Sequence, residues 1–183
     1  MDSYIEITLL PDPEFPATVL MNAVYSKLHK ALSDLRSTDI GVSFPKSKQT
    51  LGDILRIHGT IEALEKLNAM NWIGGMSGYC HKSNIKPVPN VASFRNISRR
   101  QPTMSAAKLR RLIKRRSITD EETHNYQLKM VTKEIDGPYV ELISSSNGHK
   151  HRRYIMFSEL LEEPRTGQFD QFGLSKVATI PWF

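Results

Sequence analysis

The order in which hydrophobic periodicity changes along the first half of the chain constrains the fold more than any other feature. Tyr4 to Leu10 alternates Ile5, Ile7 and Leu9 against Glu6 and Thr8, the period-two pattern of a half-buried strand. Pro11-Asp12-Pro13-Glu14-Phe15-Pro16 ends it. From Ala17 to Leu35 the apolar spacing becomes helical, with Leu20, Val24, Leu28 and Ala31 forming one stripe. Ile40–Phe44 and Ile54–His58 read as two further strands. A second helix starts near Thr60 with Ile61, Leu64 and Leu67 on one face, and Gly74, Gly75 and Gly78 interrupt the chain before a weakly marked strand from Tyr79 to about Val88. The order strand, helix, strand, strand, helix, strand is the split βαβ pattern, so the expected class is α+β with an N-terminal ferredoxin-like (βαββαβ) domain. Pro87, Pro89 and Asn90 mark its end, which places the expected domains at 1–92 and 93–183.

The second half opens on a segment of unusual charge. Residues 94–117 hold nine Lys/Arg and no acid, whereas residues 1–93 hold nine of each sign and residues 118–183 hold seven basic against ten acidic. The net charge of +6 therefore comes from one element on a near-neutral body, the footprint of a polyanion binder. On a helix of about 105–117, Leu109, Leu112 and Ile113 share one arc, while Lys108, Arg110, Arg111, Lys114 and Arg115 share the opposite one. Arg116 projects among the apolar residues, and Pro102 and Ser105 supply a start. Like charges at i and i+4 repel by a few tenths of a kcal/mol per pair. Arg110/Lys114 and Arg111/Arg115 have no acid between them, so a merely solvated face is the weaker reading. Charge alone does not separate RNA from DNA. An RNA target points to a hairpin, because a regular A-form major groove is too narrow for a helix except near a stem end.

Downstream, Thr119-Asp120-Glu121-Glu122 is a capping-box pattern, and Tyr139–Ile143 and Arg152–Phe157 read as strands flanking the turn Ser144-Ser145-Ser146-Asn147-Gly148. No apolar run approaches the roughly 20 residues of a membrane span. The start Met1-Asp2-Ser3-Tyr4 is unlike a signal peptide. A single cysteine, Cys80, excludes an internal disulfide and cysteine-based zinc motifs. A soluble, cytoplasmic protein is expected.

Few residues suggest chemistry. His29 lies beside the buried stripe of the first helix, one turn after Tyr25. Imidazole suits general acid–base work, although a lone helical histidine is more often structural. The serine turn most simply closes a hairpin, and its hydroxyls also suit a ribose or phosphate. No Gly-x-Ser-x-Gly elbow, phosphate loop or dinucleotide fingerprint is present. His149 and His151 share a strand face without a nearby carboxylate or cysteine, so no metal site and no cofactor is expected.

These residues carry a resemblance. Pro11-Asp12-Pro13-Glu14-Phe15-Pro16, Lys27-Leu28-His29, Ile40-Gly41-Val42-Ser43-Phe44-Pro45, Leu55-Arg56-Ile57-His58, Ser98-Arg99-Arg100-Gln101, Leu109-Arg110-Arg111 with Arg115-Arg116, Gly173-Leu174-Ser175-Lys176 and Pro181-Trp182-Phe183 follow, in order and spacing, the repeat-processing endoribonucleases of type I-F CRISPR systems. The chain resembles that family nearly end to end. The resemblance implies a ferredoxin-like domain carrying the catalytic histidine. It also implies a smaller RNA-hairpin-binding domain with the arginine-rich helix and a β-hairpin. It implies metal-independent cleavage of precursor CRISPR RNA 3′ of the repeat hairpin, through attack of the RNA's own 2′-OH to give a 2′,3′-cyclic phosphate. His29 matches the catalytic histidine and Ser144 the serine that holds the attacking ribose, with Ser146 and Phe172 supporting the site. Arg99 and Gln101 match the pair that reads the bottom of the stem. The helix would lie in the hairpin's major groove, bringing Lys108, Arg110, Arg111, Lys114, Arg115 and Arg116 to the RNA. Phe172 stands where the best-known member has a tyrosine, and His151 stands where a phenylalanine stacks on the terminal base pair. The implied partners are the CRISPR repeat RNA hairpin and the other subunits of the type I-F surveillance complex, the nearest being the backbone subunit at the crRNA 3′ end.

Two other readings compete. An RNA-hairpin-binding structural subunit with weak or no cleavage would also need the basic helix. A DNA-binding regulator would explain that helix but neither His29 nor the serine turn.

Overall fold

The structure is a computed structural model describing residues 1–90, 93–100, 106–132, 137–143 and 148–183. It contains two compact units, one comprising Met1–Arg99 with Gly137–Phe183 and the other Arg100–Asp136.

The larger unit begins with β1 (Ser3–Leu9), α1 (Ala17–Leu35), β2 (Gly41–Ser43), β3 (Ile54–Gly59), α2 (Ile61–Ala69) and β4 (Cys80–Lys82). The sheet order is β2-β3-β1-β4 with every pairing antiparallel, which is the ferredoxin-like arrangement expected from the element order. Register follows the alternation. Ile5 faces Ile57 and Ile7 faces Leu55 across β1 and β3, so one face of the central pair is apolar and buried. The stripe Leu20, Val24, Leu28 and Ala31 of α1 belongs to the same core. Each large side chain so buried contributes roughly 1.5–3 kcal/mol. Thr60 caps α2, accepting the Ala63 N–H at 3.3 Å.

The weak strand expected over Tyr79–Val88 is two pieces, β4 and β5 (Lys86–Pro87), both paired to β1. The break comes at Ser83, whose hydroxyl accepts the Glu6 N–H that the ladder would otherwise use. The glycines before it form a 3₁₀ turn, Gly74–Gly78.

The same unit holds β6 (Phe94–Arg95), β7 (Ile97–Arg100, whose last residue falls in the smaller unit), β8 (Tyr139–Ile143), β9 (Lys150–Phe157) and β10 (Ile180–Pro181). β7, β9 and β8 form a three-stranded sheet in that order, and β6 pairs β10. Asn22 of α1 accepts the Glu141 N–H of β8 at 2.9 Å, tying this sheet to the helix.

The smaller unit contains α3 (Ala106–Lys114) and α4 (Asp120–Thr132). Thr119 and Glu122 make the reciprocal capping box, Glu122 N–H to Thr119 Oγ1 at 3.2 Å and Thr119 N–H to the Glu122 carboxylate at 2.8 Å. The basic helix ends at Lys114, short of the expected 117. It closes when Arg116 turns left-handed at φ 50° and the Ser117 N–H returns to the Leu112 carbonyl. Among the described residues no helix is long and apolar enough to cross a membrane.

Candidate active site

His29 stands half-buried on α1, within the larger unit. Its position follows from helical phase, because Leu28 and Leu32 are fully buried and carry the next residue to the rim of the core. Across from it lies the turn 170–174. The Asp170 carboxylate accepts the N–H groups of Phe172 at 2.8 Å and Leu174 at 3.0 Å, and the Gly173 N–H closes on the Asp170 carbonyl at 2.8 Å. Gly173 takes φ +68°, and a Cβ there would meet Val42 Cγ1 at 2.7 Å. Only glycine fits on both counts.

This turn presents two groups to His29. The Gln171 carbonyl oxygen lies 2.8 Å from Nδ1, and the Phe172 ring stacks on the imidazole at 3.6 Å between centroids and 12° between planes. A carbonyl only accepts, so Nδ1 carries the proton and donates it. The Nε2 lone pair of the neutral ring is then left to take another proton. Phe172 is itself clamped, because its carbonyl accepts the hydroxyl of the fully buried Tyr25 at 2.8 Å. Burial first, then the Asp170 charge, push the Tyr25 phenol's pKa up, so it stays a donor.

The Arg153 guanidinium of β9 lies 3.5 Å from the Phe172 centroid. It and the imidazole would overlap on one face, so they sandwich the ring from opposite sides. Arg153 is only 8% exposed, and its Nε is buried without a hydrogen-bond partner. Burial and then Arg99 lower its pKa. Beyond Phe172 is an open cleft of about 780 Å³, with Arg36, Arg99, Arg153, Asp170 and Gln171 among its lining residues. Arg36 follows α1 at φ 51°, with its own N–H on the Ser33 carbonyl and the Ser37 N–H on the Leu32 carbonyl. Glycine usually fills such a place, and a left-handed non-glycine residue costs roughly 1–2 kcal/mol.

Of the residues expected at the site, the structure brings His29 and Phe172 into contact and puts the exposed Arg99 on the cleft that Phe172 also lines. His151 is exposed on β9, opposite Leu142. Ser144, Ser146 and Gln101 lie outside the described residues. Within the smaller unit Lys108, Arg110, Arg111, Lys114, Arg115 and Arg116 are all exposed. Leu109 is buried and Leu112 half-buried, while Ile113, expected on the packed arc, is 48% exposed.

Sequence reasoning missed Arg153, Gln171, Asp170 and Arg36. Arg153 was legible in part, since strand alternation groups it with Ile155 and Phe157 on the inner face of β9, an unusual place for a cation. Gln171 works through its backbone carbonyl, for which residue type carries no signal.

A family model for CRISPR-associated protein (Cas_Csy4) matches residues 4–183. The chain is 39% identical over 184 residues to the CRISPR-associated endonuclease Cas6/Csy4 of Escherichia coli (strain UTI89 / UPEC). It is 37% identical over 187 residues to the protein of that name from Pseudomonas aeruginosa (strain UCBPP-PA14), and both alignments cover each partner completely. A solved structure of Thermus thermophilus Cse3, bound to an RNA representing a pre-cleavage complex, is similar over 99% of this chain and 100% of that one, at 13% identity and a TM-score of 0.40. The fold assignment rests instead on the sheet order. With the family model and two relatives matched along essentially its whole length, the chain belongs to the Cas_Csy4 family of CRISPR-associated proteins, bearing out the resemblance to the type I-F repeat-processing endoribonucleases.

Proposed function

We propose that this protein cleaves precursor CRISPR RNA just 3′ of the repeat hairpin, without a metal ion. The observation that carries the reading is the fixed tautomer of His29, with Nδ1–H on the Gln171 carbonyl and the ring held flat on Phe172. The free Nε2 takes the proton of a ribose 2′-OH, and the 2′-oxygen attacks the adjacent phosphorus. The bond to the 5′-oxygen breaks, leaving a 2′,3′-cyclic phosphate and a 5′-hydroxyl. Ser144, with Ser146 beside it, orients the ribose. Arg99 and Gln101 read the bottom of the stem, His151 stacks on its last pair, and the exposed cations of α3 and its end hold the hairpin's major groove. The functional division runs near residue 92, with the cutting histidine before it and the hairpin-holding residues after. The product stays bound, and the protein serves as a subunit of the type I-F surveillance complex beside the backbone subunit nearest the crRNA 3′ end.

The test is repeat RNA incubated with protein in EDTA, alongside His29→Ala protein and RNA with a 2′-deoxy sugar at the cut. Wild type should cut. His29→Ala should lose roughly 10²–10⁴-fold in rate, the deoxy RNA should stay whole, and both should still bind. Intact RNA in the wild-type lane would leave the second reading, an RNA-hairpin-binding structural subunit. Equal affinity for an unrelated DNA duplex would point to a DNA-binding regulator.

A further inference from the structure

The geometry points to a phosphate site made by Arg36 and Arg153, in a cleft that Arg99 also lines, which holds the phosphodiester next to the one cut at His29. This inference rests on the endoribonuclease reading above and adds a binding site to it.

Three arginines, from the end of α1, from β7 and from β9, line one cleft. Positions so far apart in the chain share no local pattern, so the convergence is a product of the tertiary fold. Among the described residues, no carboxylate lies within 4.0 Å of any of the three. The acid that lines the cleft, Asp170, already accepts two backbone N–H groups through Oδ1. Arg153 is more than nine-tenths buried, lines the cleft, and keeps an Nε–H with no acceptor. That Nε is closed to the cleft, so an anion there would meet Arg153 through its charge rather than through that N–H. Arg36 occupies a left-handed position that glycine would fill with less strain, and it places another cation at the rim.

The chemistry narrows the ligand. Guanidinium forks match phosphate oxygens in pairs, and the carbonyls at the end of α1 that would repel an anion are partly capped by the N–H groups of Arg36 and Ser37. An open cleft suits a chain better than a small enclosed anion. Position makes that chain the substrate strand. Arg153 and His29 lie on opposite faces of the Phe172 ring, so the cleft is one ring away from the reacting phosphate. A strand that puts one phosphate at the imidazole carries the next a single nucleotide away.

The test measures binding of repeat RNA, made uncleavable by a 2′-deoxy sugar at the cut, across a salt series for wild type, Arg36→Gln and Arg153→Gln. Each variant should flatten the dependence of log affinity on log salt by about 0.7–0.9 and bind several-fold more weakly at low salt. RNA trimmed of the nucleotides flanking the cut should erase the difference. Equal slopes on the flanked RNA, or a loss that persists on the trimmed RNA, would overturn the site. Arg153→Gln removes part of the Phe172 stack, so exposed Arg36→Gln is the cleaner arm, with thermal unfolding checking both. Cleavage of ordinary repeat RNA by wild type runs in parallel. Cutting with unchanged slopes refutes the cleft alone, whereas a wild type that neither binds nor cuts refutes the function and the cleft with it.

Discussion

In the larger unit the Arg153 cation is buried, stacked on Phe172 and separated by that ring from His29. In the smaller unit Lys108, Arg110, Arg111 and Lys114 lie along α3, Arg115 and Arg116 directly follow it, and all six are exposed. One region spends burial and an unmatched N–H to hold a few atoms in place. The other spends little on each charge and relies on their number. Disturbing the imidazole and its ring in the first should produce large, local losses of rate that salt does not tune. Disturbing the second should produce small effects that salt screens.

The sharpest break in that contrast would come from Phe172. Phe172→Ala takes away the surface on which the imidazole lies, and a misplaced catalytic group costs on the order of 10²-fold in rate. Single-turnover cleavage should fall by about that much while hairpin affinity holds, and Phe172→Tyr should keep the rate. Lost affinity with an unchanged rate would reverse the roles assigned to the two regions.

Gly173→Ala asks whether the turn is as tightly determined as its bonds suggest. The new Cβ meets Val42 in a left-handed backbone, so urea unfolding should show a loss of about 1–3 kcal/mol, with cleavage falling more than binding. Ser43 and His58 supply a pH test of the same unit. His58 is fully buried, donates or accepts one bond with Ser43 Oγ at 2.8 Å, and is held down to about 3 by burial and then by Arg56. Its folded pKa lies below its unfolded value near 6.5. Its share of stability is therefore complete above that value and lost as pH falls toward 3. The slope is at most about 1.4 kcal/mol per pH unit. Denaturant titrations from pH 7 to 4 should show wild type losing stability faster than His58→Asn, and parallel curves would remove His58 as the cause.

The smallest effect belongs to the helix. Arg115→Gln should lower the salt slope of hairpin binding by about 0.9 and leave the cleavage rate at saturating RNA unchanged. A rate effect would mean that this surface does more than hold.

Periodicity determined the ferredoxin-like order and sheet register, because alternation in β1 and the α1 stripe each specify one buried face. The run of cations, the capping box at Thr119 and the position of His29 were likewise legible, since local residue type and spacing carry them. The shortness of α3 was not, because a left-handed arginine ends it where glycine would have signalled the stop. Nor was the environment of His29. Its partners are a backbone carbonyl at Gln171 and a ring at Phe172, backed on its other face by the Arg153 cation, all more than a hundred residues away and brought in by a turn and a strand. Side-chain chemistry names a base, but only the tertiary structure decides which nitrogen keeps its proton, because that depends on which atom the fold places opposite it.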